Sequence, residues 1–64
     1  MLAEEFLWDG PLEEVAQRAV THVERLKIQS ALNESKWNKT RAAEKLGVSY
    51  KTLLHKIRIL GLEN

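Results

Sequence analysis

Three side chains near the end of the chain set the chemistry open to it: Lys51, His55 and Arg58. If their segment is helical, a turn of 100° per residue puts them on one face, with Leu53, Ile57 and Leu60 almost opposite. An ammonium and a guanidinium on one outward surface carry positive charge, and with the imidazole they donate hydrogen bonds. They suit phosphate oxygens and the acceptor edges of bases. Thr52 and Lys56 flank this surface on one side, Tyr50 and Leu54 on the other. Upstream, Asn38, Thr40, Arg41 and Ser49 supply further donors at positions that read as helix starts.

Other chemistries find little to work with. There is no cysteine, and Ser30, Ser35 and Ser49 have no histidine in a workable context. The three glycines are isolated, so no glycine-rich loop ends in Gly-Lys-[Ser/Thr] to cradle a nucleotide phosphate. Glu13 and Glu14 read as partners of a helix dipole rather than an acid–base pair. His22 and His55 have no second ligand at helical spacing, so neither a metal nor any other cofactor is expected. The expectation is a binding protein, not an enzyme.

Charge is sharply divided. Residues 1–35 hold seven acids and three bases, a net of −4, whereas residues 36–64 hold seven bases and two acids, a net of +5. The overall charge of +1 conceals this polarity. No apolar run approaches the ~20 residues of a membrane helix. Met1-Leu2-Ala3 leads into Glu4-Glu5, the wrong charge for a secretory leader. A cytoplasmic location is expected. A 64-residue domain buries only ~60% of its unfolded surface. Without disulfides or metal, pairing with a second copy is the remaining route to stability.

The elements that must position the donors follow from punctuation and periodicity. Residues 1–10 read as a short linker ending in Asp9-Gly10-Pro11, where Asp9 or Gly10 caps and Pro11 takes the first helical position. Apolar residues at spacings of three and four then predict an amphipathic helix, or helix pair, over 11–35. Its apolar surface is wide, with Ile28 off the main line. One stripe can cover the rest of the domain while another, with Val15, Ala16, Ala19, Val20, Val23 and Leu26, meets a partner chain. His22 reads as a partly exposed neighbour of that interface. Asn33 to Trp37 forms a loop, with Trp37 as an apolar staple ahead of the Asn38 cap. Lys39 to Leu46 is a short helix with Ala42, Ala43 and Leu46 inward. Gly47 ends it in a left-handed turn, Val48 plugs the turn, and Ser49 caps a last helix to about Leu60. Gly61 stops that helix and Leu62 folds back. The expected fold is all-α: a long N-terminal dimerisation helix followed by a helix-turn-helix over 38–62.

That layout lays its last helix into the major groove of DNA. Tyr50, Lys51 and Leu54 then face base edges, with Lys51 suited to guanine and Leu54 to a thymine methyl, while His55 reads as a base contact, a phosphate donor or plain surface. Asn38, Thr40, Arg41, Ser49 and Lys56 suit phosphates. The stretch Asn38-Lys-Thr-Arg-Ala-Ala-Glu-Lys-Leu-Gly-Val-Ser, followed by Thr52-Leu53, Lys56-Ile57 and Leu60-Gly61-Leu62, resembles the Fis-type helix-turn-helix family. Ile28-Gln-Ser-Ala-Leu32 resembles the preceding helix of that family, and the match covers roughly residues 12–62. The resemblance implies a homodimer held by N-terminal helices and reading palindromic enhancer DNA. It implies a place at the C-terminus of an NtrC-type activator, after receiver and AAA+ ATPase domains that work with sigma-54 RNA polymerase. It also puts Asn38, Thr40, Thr52 and Lys56 at backbone-contact positions and Tyr50 and Lys51 at base-reading ones, with His55 nearby. The family often has arginine in place of Tyr50, tyrosine in place of Leu54 and a basic residue in place of His55. The target sequence therefore does not carry over. Alternative readings are a stand-alone Fis-like protein that bends DNA, and a helical module that pairs with protein.

Overall fold

A computed structural model of the protein describes residues 8–63, which form three α-helices and no strand. Helix α1 runs Leu12–Glu34, α2 Lys39–Leu46 and α3 Tyr50–Ile59. The linker expected over 1–10 lies, as far as residue 7, outside the described residues. At 1.5 Å per residue a helix of 23 residues is about 35 Å long, so α1 accounts for the 36 Å long axis of the molecule. It is a single helix that passes His22 without a break.

Pro11 stands one place earlier than expected. Its ψ of 153° makes it the residue before the helix rather than the first residue within it. Its carbonyl accepts from Val15 N–H at 2.9 Å, and no side chain caps this end. Glu13 and Glu14 lie in the first turn, where they complement the dipole. Arg18 reaches back from the next turn to donate to the Asp9 carbonyl and lies 3.7 Å from Glu14.

All three helices end alike. The second residue of the turn donates to a carbonyl five back, and the first to one three back. After α2 these are Val48 to Ala43 (3.1 Å) and Gly47 to Glu44 (3.2 Å); after α3, Leu62 to Ile57 (2.9 Å) and Gly61 to Arg58 (3.2 Å). After α1, Trp37 donates to Leu32 (2.7 Å) and Lys36 to Asn33 (3.1 Å). Gly47 and Gly61 take the left-handed conformation this turn requires, but after α1 the role falls to Lys36 (φ 54°), with Trp37 (φ 65°) following it. The α1–α2 loop thus holds two non-glycine residues in a region that disfavours a Cβ.

Between the helices, Ile28, Ala31 and Leu32 of α1 meet Ala42 and Ala43 of α2, Leu53 and Ile57 of α3, and Leu60 just beyond. Trp37, Leu46, Val48 and Leu62 close the edges of this core. Leu32, Leu53 and Ile57 are fully buried, each contributing about 1.5–3 kcal/mol. The paired alanines let α2 lie close between α1 and α3.

Candidate nucleic-acid interface

Helix α3 presents the arrangement its periodicity demands. Leu53 and Ile57 are buried, while Lys51, His55 and Arg58 are exposed on the other side. Tyr50 is 49% exposed at the helix start, and Leu54 is half-buried. The turn before α3 is built from side chains that do two jobs. Ser49 Oγ accepts from Thr52 N–H at 3.1 Å and caps the helix. The Ser49 hydroxyl donates to Thr52 Oγ1 at 2.9 Å, which leaves the Thr52 hydroxyl hydrogen for an outside acceptor.

Asn38 plays the matching part for α2. Its Oδ1 accepts from Arg41 N–H at 3.1 Å, and its amide NH₂ is left to donate. Thr40 and Arg41 are exposed in the same first turn. The helix-turn-helix thus brings two capped N-termini, each carrying polar donors and the favourable end of a helix dipole, into one short unit.

The basic half of the chain is not uniformly available. Lys45 Nζ pairs with Glu34 at 3.2 Å, Lys56 Nζ with Glu24 at 3.0 Å, and Arg58 Nε lies 4.0 Å from Glu63. Lys36, Lys39, Arg41 and Lys51 make no ion pair among the described residues. Part of the charge division is therefore neutralised between helices, where acids of α1 meet bases of α2 and α3. In the sequence Glu24 and Glu34 are simply two members of the acidic half. Glu24 stands one turn before buried Ile28, and that spacing is the signal that it borders the core.

Helix α1 carries a second surface. Leu12 (81% exposed), Ala16, Ala19, Val23 (61%) and Leu26 (55%) are all open to solvent, with Val20 (49%) beside them. At 100° per residue the first five fall within about 80° of arc, turned away from Ile28, Ala31 and Leu32. Val15, grouped with them from its spacing, is instead 8% exposed and stands apart from the main core. His22 is exposed next to the stripe.

The model for bacterial regulatory proteins of the Fis family matches residues 19–60, from the middle of α1 to the end of α3. The chain belongs to the Fis family. It is a Fis-type helix-turn-helix DNA-binding domain, in which α2 and α3 are the two helices of the motif. Over 41 residues, 64% of its length, this Fis-family domain is 37% identical to the response regulator protein PilR of Pseudomonas aeruginosa. It spans 9% of the length of that relative. No solved structure matches the chain. Among the described residues no helix is long and apolar enough to cross a membrane.

Proposed function

We propose that this domain binds palindromic enhancer DNA as a homodimer, as the C-terminal unit of a sigma-54-dependent activator, with Tyr50, Lys51 and His55 reading bases. The exposed basic face of α3, opposite buried Leu53 and Ile57, carries this reading. Thr52, Asn38, Thr40, Arg41 and Ser49 engage phosphates around it, and Leu54 offers apolar contact at the edge of the reading surface. The apolar stripe of α1 supports the pairing, because it lies away from the core and would be buried against the same stripe of a second copy. Two recognition helices joined in this way would enter successive major grooves ~34 Å apart. The likeness to a response regulator, of which this chain matches a small part, supports receiver and AAA+ ATPase domains as partners in a longer protein. The domain works by binding and catalyses nothing, in the cytoplasm at the nucleoid.

Binding to a mixed duplex pool at several salt concentrations tests the proposal. Affinity should fall steeply as salt rises, on a slope set by the number of phosphates engaged, and selection should return a two-fold symmetric site. No binding at low salt would refute the DNA-reading assignment, and an asymmetric single half-site would refute the dimer.

A further inference from the structure

We infer that Lys56 is a positioning residue: its ammonium ties α3 to α1 through Glu24, setting the angle at which Lys51 meets a base, and does not bind a phosphate. This rests on the proposed reading of DNA by α3. Measured round α3 at 100° per residue, Lys56 lies about 70° from the centre of the Leu53–Ile57–Leu60 face and about 130° from that of the Lys51–His55–Arg58 face. It therefore belongs with the scaffold side of the helix. Its Nζ donates to Glu24 Oε2 at 3.0 Å across 32 residues of sequence.

The two side chains are 29% and 37% exposed, whereas the pairs Arg18–Glu14, Lys45–Glu34 and Arg58–Glu63 are all more open. Both side chains line a groove of about 200 Å³ together with Ile28, Leu46, Val48 and Leu53. A lysine at such an edge can lay its methylenes along the apolar wall while its ammonium reaches the carboxylate. A partly shielded pair of this kind is less weakened by salt than one in open solvent. Moving Lys56 to a phosphate would leave the partly buried Glu24 carboxylate without its partner.

The test uses the full chain in anisotropy titrations against a duplex selected by the wild type and a scrambled duplex, each at several salt concentrations. Lys56→Gln and Glu24→Gln should each lower the preference for the selected duplex severalfold and leave the salt slope at the wild-type value. Arg41→Gln, at a phosphate position in each protomer, should lower the slope for the dimer by about 1.8, the share of two phosphates. The exchanged pair, Glu24→Lys with Lys56→Glu, should recover the preference. Glu24→Gln leaves every cation in place, so it carries the same expectation if Lys56→Gln does not fold. The inference is overturned if Lys56→Gln lowers the slope as Arg41→Gln does, or if Glu24→Gln tightens binding. It is also overturned if the exchanged pair folds but stays unselective. Failure of the wild type to bind any duplex would instead refute the DNA reading. The tether would then be judged by whether the two glutamine changes are coupled in thermal unfolding; additive effects would overturn it.

Discussion

Replacing Gly47 with alanine isolates the backbone cost of the turn between the two helices of the motif. Gly47 has φ 71°, a conformation that costs an L residue about 1–2 kcal/mol. A Cβ built there meets no atom within 4 Å, so no steric clash adds to that figure. Alanine also narrows the unfolded ensemble, which offsets about 0.4–1 kcal/mol. The net loss should be roughly 1 kcal/mol, or about 4–8 °C in Tm for a domain of this size. Gly61 is an internal control: its φ is 67° and its Cβ position is equally open, so Gly61→Ala should cost the same. Lys36 is the converse, since it already holds φ 54° with a side chain. Lys36→Gly should raise Tm by a few degrees, because relief of strain slightly exceeds the entropy cost of glycine. Thermal unfolding followed by circular dichroism at one fixed protein concentration reads all three, since the Tm of a dimer moves with concentration. The Gly47 and Val48 N–H bonds survive the change, so Gly47→Ala measured below its Tm should bind DNA like the wild type. A loss above about 3 kcal/mol at Gly47 would reveal a close neighbour that the open geometry denies. An unchanged Tm would show that the turn is not left-handed.

Removing the caps, Asn38→Ala and Ser49→Ala, should each cost about 1 kcal/mol in a denaturant titration; no loss would mean that the bonds to Arg41 and Thr52 N–H do not form. Val23→Glu puts a carboxylate in the apolar stripe of α1 and should leave a 7.4 kDa monomer in sedimentation. Arg25→Glu, on the opposite side of α1, should leave a dimer, and a dimer in both variants would place the interface elsewhere. Lys51→Ala should relax preference at one position of the binding site by about 1–3 kcal/mol. Equal loss on every duplex would rule out base reading by Lys51.

Local order was legible because it rests on local rules. Asn38 and Ser49 announce helix starts through short side chains that reach an N–H three residues on, and Gly47 and Gly61 announce stops through their freedom at positive φ. The inner and outer faces of α3 follow from its period. Lys36 was not legible as a left-handed residue, since nothing in a lysine signals that conformation; the packing of Trp37 against the core accompanies it. Pro11 falls one position from its expected place because the same fixed φ serves the residue before a helix as well as the first within it.

Sequence alone determined the helical segments, the glycine turns that follow the last two helices and the division of charge; the segments and turns rest on interactions between residues a few positions apart. It also determined that α1 has more apolar surface than one neighbour can cover. Only the tertiary structure decided which part of that surface faces inward, burying Ile28, Ala31 and Leu32 and leaving Val23 and Leu26 to solvent. It also decided which cations remain open, by bringing Glu24 to Lys56 and Glu34 to Lys45. Those partners are distant in the chain, and a charge acquires a partner only when packing brings one within reach.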